Sequence, residues 1–252
     1  MYINQIINHC KNQLLKDQKN DGHWVYELEA DTTIPAEYIL MNHFFGFNEK
    51  KLEKKLIKYI KKKQNSDGGW PLFWGGESNI STSVKAYFAL KLAGEKKNSK
   101  LMIKAKKKIL DLGGAENSNV FTKISLALFK QISWKKIPSM PVEIMSLPNW
   151  FPFHINKISY WSRTVIVPLL IILDKKPIAK NPKKIEIDEL FLNKKNNKIK
   201  FNKDSLFYSF LFIFLDKILK ILEPLFPKKF KKKSIDKAQK FILKRLNGLD
   251  GL

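Results

Sequence analysis

Two short stretches of the chain repeat each other. Gln18-Lys-Asn-Asp-Gly22-His-Trp24 and Gln64-Asn-Ser-Asp-Gly68-Gly-Trp70 share the form Q-x-x-x-G-x-W and stand 46 residues apart, each between two helical stretches. A repeat of that period marks helical hairpins that cannot bury their apolar faces alone and so stack or close into a ring. Within each copy the glycine suits a helix C-terminus, where the backbone turns through a left-handed conformation. The glutamine can bond free backbone groups nearby, and the tryptophan can cover the turn with a large apolar face. A third copy is degraded: Lys237, Ala238, Phe241 and Ile242 keep the helix, but Leu246 and Leu252 stand in place of the glutamine and tryptophan.

The same 3.6-residue rhythm runs through most of the sequence. Ile3, Ile6, Ile7, Cys10, Leu14 and Leu15 mark a first helix, and apolar residues recur at helical spacing over 34–45, 52–60, 84–92, 102–110, 120–129 and 161–173. Strand-like alternation is scarce. The reading is an all-α chain of helical hairpins joined by Gly, Asn and Asp turns. Residues 174–203 break the rhythm with Pro177, Pro182 and many Lys and Asn, which predicts a surface loop or insertion.

Charge narrows the partners. Against 47 Lys and Arg stand 23 Asp and Glu, a net of +24. Such an excess is either a solvated surface or a face for nucleic acid or anionic lipid. Only Arg163 and Arg245 are arginines. Base reading favours the planar guanidinium fork, which lysine lacks, and this argues against a nucleic-acid partner.

Lipid is favoured by residues 204–226. Their uninterrupted apolar run ends at Asp216 and Lys217, short of the ~20 residues that a spanning helix needs. On a helical wheel Phe207, Phe210, Leu211, Phe214, Ile218, Ile221, Leu222 and Leu225 share one face, opposite Ser209, Asp216, Lys217, Lys220 and Glu223. The run Pro227-Lys-Lys-Phe230-Lys-Lys-Lys233 follows directly. An aromatic-rich apolar face with adjacent lysines predicts a membrane-contacting segment over 204–233, an interfacial helix over 204–226 followed by the basic run. Each lysine near an anionic leaflet adds about 1 kcal/mol, less in salt.

Several chemistries find no support. The single cysteine, Cys10, rules out an internal disulfide and a multi-cysteine zinc site. His9, His23, His43 and His154 lack metal-ligand spacing, and no Gly-rich phosphate loop occurs. The expectation from these residues is no metal. The opening residues lack the basic-then-apolar order of a secretion signal, so the chain is expected to begin in the cytosol.

With these motifs in place, the chain resembles the squalene–hopene cyclases. Its two repeats match that family's QW turns, and the neighbouring text is closer still. DGHWVYELEADTTIPAEYIL (21–40), GGAENSNVFTKISLALF (113–129), PVEIMSLP (141–148), YWSRTVIVPLL (160–170) and FILKRLNGLDGL (241–252) are similar to the family's N-terminal half. The resemblance implies an α/α toroid domain within residues 1–252, with 234–252 beginning a second domain. It implies a monotopic enzyme, often dimeric, at the cytoplasmic face of a bacterial inner membrane. There squalene would be cyclised to hopene or hopanol without a cofactor.

The resemblance also implies roles for residues. Phe121 and Trp161 stand where the family places aromatics facing the substrate, and aromatic faces stabilise cations through their quadrupole. Ser125 stands where some relatives carry tryptophan. The acid that starts the family's reaction belongs to a D-x-D-D motif, which does not occur here. Glu27, Glu29 and Asp31 do not match it and read as turn residues. The expected partners are squalene, membrane lipid, a C-terminal half carrying D-x-D-D, and a second copy. The expected activity of the chain alone is none. The alternatives are a lipid-surface module and a truncated relic.

Overall fold

The computed structural model describes residues 2–26, 31–47, 49–151, 154–181, 183–193, 214, 216–220 and 226–246. Its principal helices are α1 (Tyr2–Asp17), α2 (Thr33–Phe45), α3 (Lys50–Lys62), α4 (Ile80–Leu92), α5 (Lys100–Asp111), α6 (Val120–Leu128), α7 (Tyr160–Lys175) and α8 (Lys228–Leu243). Among the described residues the only β pairing is an isolated bridge between Pro71 and Ser78. The fold is all-α, as the periodicity predicts.

Local sequence starts these helices. Asn79 accepts from the Ser81 and Thr82 amides to cap α4, Ser99 from Met102 for α5, and Asn119 from Thr122 for α6. Each cap satisfies backbone donors that the first turn leaves free. Gly46 ends α2 in the left-handed conformation, with φ 76°.

Helix α4 is the centre of the main core. All of its residues except Ile80 and Lys91 are buried, so it is packed on every side. Helices α2, α5, α6 and the short turn at Ala115–Asn117 surround it. The core joins Ile39, Leu40, Ile60, Trp70, Phe88, Leu90, Met102, Ile109 and Leu126. Phe129 closes edge-on against Phe88, at 5.2 Å between ring centroids. Lys85 of α4 is buried and meets the partly exposed Glu37 of α2 at 2.6 Å, so its charge is paired rather than stranded.

A second core forms between α7, α8 and the turn at Val142–Ser146, around Val142, Met145, Ile155, Val167, Leu170 and Ala238. The second-domain start expected at 234 falls within helix α8. Helix α8 runs unbroken through that position and buries Ser234 and Ala238. Ser234 bonds Ser146 at 2.8 Å. The degraded third repeat is therefore part of this unit.

The segment expected as a loop or insertion over 174–203 is tied to the main core in its first part. Helix α7 extends to Lys175, and Ile187 and Leu190 are fully buried. Gln131 clamps the stretch, donating to the Ile185 carbonyl at 3.1 Å and accepting from the Ile187 amide at 2.9 Å. Glu189 accepts from the Tyr87 hydroxyl at 2.9 Å and pairs with Lys91. Apolar residues spaced among lysines were enough to pull a non-periodic segment inward.

This clasp predicts acid sensitivity. Burial pushes the Glu189 carboxyl up, but bonds from Lys91, its own amide and Tyr87 outweigh it and hold the carboxyl below its ordinary value. A depressed folded value stabilises the fold above the ordinary range and ceases to do so as pH falls through it. Hydrogen exchange over 185–193, corrected for intrinsic rates, should accelerate on acidification before exchange in α4 does. Glu189→Gln should remove that difference. Equal acid response in both proteins would refute it.

Candidate functional site

The two candidate substrate-facing aromatics each occupy the first turn of a helix. Asn119 caps α6 and sets Phe121 two residues on, while Ser159 caps α7 through the Ser162 amide and sets Trp161. Phe121 is 46% exposed and Trp161 77% exposed. Trp150 and Tyr160 are also exposed. Phe121 and Trp161 are each open to solvent on part of their surface, with no ring pairing between them. Ser125 lies one turn along α6 and donates to the Phe121 carbonyl at 3.2 Å. Burial lowers the Lys123 ammonium from its ordinary value, with Glu116 opposing the shift.

The segment predicted to meet a membrane is described in part. Phe207, Phe210, Leu211, Leu222 and Leu225 lie outside the described residues, as do Glu27 and Glu29. Residues 216–220 are helical. Two charged side chains tie them to the chain: Asp216 accepts from the Ser139 amide at 2.6 Å, and Lys220 bonds Asp216 at 2.6 Å and the Lys135 carbonyl at 3.2 Å. Phe214 is 53% exposed, and Ile218 is half-buried. Lys217 is exposed, and Leu219 is half-buried like Asp216, Ile218 and Lys220, so charged and apolar side chains occur on both the covered and the open side. Sequence alone did not single out Ser139 or Lys135, because a backbone amide and a carbonyl leave no residue-type signal.

Beside this segment opens a cavity of about 940 Å³. Ile132, Ile137, Met140, Val142 and Leu173 give it apolar walls, and Lys130, Lys135, Lys176 and Lys220 are among its basic lining residues. The indole N–H of Trp134, which also lines it, is buried without an acceptor among the described residues. Mostly apolar walls with a few polar groups are the usual character of a site for an apolar ligand.

The basic run divides in two. Lys228, Lys229, Lys232 and Lys233 are exposed on the first turns of α8, whereas Lys231 pairs with the buried Asp174 at 2.7 Å. Phe230 is half-buried, its ring 6.4 Å from that of Phe226. Both arginines lie against aromatic rings: Arg163 is 5.8 Å from the Tyr160 centroid, and Arg245 is 5.2 Å from Tyr160 and 3.5 Å from Phe241. No group of three His, Cys, Asp or Glu among the described residues could hold a metal ion. None of the described helices is long and apolar enough to cross a membrane.

The repeated turns share one geometry. Gln18 donates to the Gly22 carbonyl at 2.7 Å and Trp24 to the Leu14 carbonyl at 2.7 Å; Gln64 donates to Gly68 and Trp70 to Ile60, both at 2.8 Å. His23 pairs with Asp21 inside the first turn. The turns differ in surroundings, since Trp24 is 44% exposed and Trp70 fully buried.

Comparison with known proteins places the chain in one family. A model of the squalene-hopene cyclase N-terminal domain matches residues 7–252. The chain is 47% identical over 251 residues to the squalene–hopene cyclase of Zymomonas mobilis, 99% of this chain and 38% of that one. It is 50% identical over 239 residues to the squalene–hopene cyclase of Bradyrhizobium diazoefficiens, 93% of this chain and 36% of that one. It is 33% identical to the dammaradiene synthase of Dryopteris crassirhizoma over 246 residues, 96% of this chain and 36% of that one. The chain thus spans a little over a third of the length of these relatives.

Proposed function

Because the chain belongs to the squalene–hopene cyclase family through its N-terminal domain, we propose that it supplies membrane attachment and cavity wall for cyclisation of squalene to hopene or hopanol. The observation that supports the membrane part is the exposure of Phe214 together with four lysines on the first turns of α8. Asp216 and Lys220 are bonded to the 135–139 stretch, beside a largely apolar cavity, while Phe214 is 53% exposed and the first turns of α8 expose Lys228, Lys229, Lys232 and Lys233. That arrangement suits an interfacial element: apolar side chains enter the lipid, and lysines meet anionic headgroups.

Phe121 and Trp161 are the proposed cavity-wall aromatics. Exposed in this chain, they suit a wall whose other side is supplied by further polypeptide. An alkene must be protonated by a strong acid in a dry site, and this chain offers no D-x-D-D for the step. The acid is therefore assigned to the portion of the cyclase that these residues do not contain. No metal or organic cofactor takes part, and a second copy of the assembly is an expected companion at the cytoplasmic face of the membrane.

One experiment tests the reading with two measurements. The chain is mixed with anionic vesicles containing squalene, with and without the remaining portion of the Zymomonas mobilis cyclase. Co-sedimentation is measured first, then products by gas chromatography and mass spectrometry. The expected result is vesicle binding in both mixtures and hopene only with the added portion. Hopene from the chain alone would overturn the assignment of the acid. Binding without hopene in either mixture would favour a lipid-surface module or relic.

A further inference from the structure

Helices α6 and α7 carry Phe121 and Trp161 at their starts and meet the 940 Å³ cavity at their ends. Ala127 and Lys130 line it from α6 and the turn that follows, Leu173 and Lys176 from α7 and its cap. Leu173 stands twelve residues beyond Trp161, about 18 Å along the helix axis. The cavity is therefore separate from the wall assigned to squalene.

Both helices end on a lysine in an unfavourable backbone conformation. Lys130, just past α6, and Lys176, which caps α7, are left-handed, with φ 60° and 47°. That region favours glycine and strains a lysine. Strain held at two points around one cavity points to what those side chains do there. Lys130, Lys135 and Lys176 are exposed, and Lys130 and Lys135 form no ion pair among the described residues. Among those residues five lysines line the cavity against two carboxylates, Asp174 and Glu143. Asp174 is met by Lys231 at 2.7 Å and Lys175 at 3.5 Å, and Glu143 is buried. The open side is thus basic, over apolar walls, and Lys220 brings in the stretch that exposes Phe214.

We propose that this cavity is a discrete site for one anionic phospholipid, with its phosphate on Lys130, Lys135 and Lys176 and the start of its acyl chains along Ile132, Ile137 and Met140. Lysines supply point charges suited to phosphate, whether esterified or free. A lipid is favoured over free phosphate because the space is far larger than that ion needs and its walls are mostly apolar. One lipid drawn out of the leaflet fixes the depth and orientation of the domain, which a basic surface alone does not. The choice of a lipid source rests on the membrane attachment proposed above.

The test titrates the full chain with dihexanoyl phosphatidylglycerol, kept monomeric so that no membrane surface is present, and reads binding by calorimetry. The expected result is saturable uptake of one lipid per chain. Phosphatidylcholine of the same chain length should bind at least about tenfold more weakly, and inorganic phosphate more weakly than phosphatidylglycerol. Lys130→Gly and Lys135→Ala should each loosen phosphatidylglycerol about fivefold. Lys130→Gly should also leave the melting temperature unchanged or raise it, because glycine is free of the left-handed strain. Lost binding with a lower melting temperature would make Lys130 a residue of the fold and overturn its place in the site. Equal binding of the two lipids would overturn the anionic head, and inorganic phosphate binding as tightly as the lipid would overturn the lipid source. No saturable uptake, in a chain that still co-sediments with anionic vesicles, would overturn the site and leave the proposed attachment standing. Failure of both measurements would remove both readings.

Discussion

Trp70→Ala is expected to lower stability by about 3–5 kcal/mol and the melting temperature by about 10 °C, while Trp24→Ala costs about 1 kcal/mol or less. The two tryptophans have the same sequence context and the same indole bond to a carbonyl ten residues back. They differ in cover. Trp70 is fully buried in the main core, and truncation would leave a cavity among Ile60, Ser83 and the packed face of α4. Its backbone amide is held by the Ser83 hydroxyl at 2.9 Å, so the turn cannot readily collapse into the space. Trp24 has water on one side, and alanine there leaves no cavity. Differential scanning calorimetry of the two variants decides the matter. Equal losses would mean that the tryptophans serve the turn itself rather than the core.

The second large effect is at Gly68. An alanine Cβ would meet the carbonyl oxygen and carbonyl carbon of Lys104 at 2.5 and 2.6 Å, both backbone atoms within a helix that cannot give way locally. Left-handed strain for a non-glycine residue adds to the clash. Together these set an expected loss of about 2–4 kcal/mol. Gly22→Ala carries the same backbone strain without the clash and should cost about 1 kcal/mol. The difference between the two variants, measured by denaturant titration, isolates the close approach of α5. A difference near zero would show that conformation alone selects glycine in both turns.

These paired substitutions also measure how much of the protein is legible without its structure. The helices were legible, because apolar residues at 3.6-residue spacing need no partner to be recognised, and caps such as Asn79, Ser99 and Asn119 are local. The family was legible because its turns and neighbouring text are distinctive, and the N-terminal domain match over 7–252 agrees. The clasp of residues 176–193 was not. Its anchors are Gln131, Tyr87 and Lys91, more than fifty residues away from what they hold. Nor was the continuity of α8, whose run of lysines hides the inward positions Ser234 and Ala238.

Candidate site residues divide in the same way. Phe121 and Trp161 were named from resemblance, and the fold adds that both stand partly open to solvent in the first turns of α6 and α7. The bonding of Asp216 and Lys220 to the 135–139 stretch came from the fold alone, since amphipathic periodicity says that two faces exist but not which is turned inward.

The sequence by itself determined the helices, the turns and their internal bonds, because these reach no further than about ten residues along the chain. Only the tertiary structure decided that Trp70 is enclosed and Trp24 is open, that Gly68 is pressed by a helix and Gly22 is not. Burial is a property of what arrives from elsewhere in the chain: Leu101 and Lys104 reach the second turn across 37 and 36 residues, whereas Trp24 of the first stays 44% exposed.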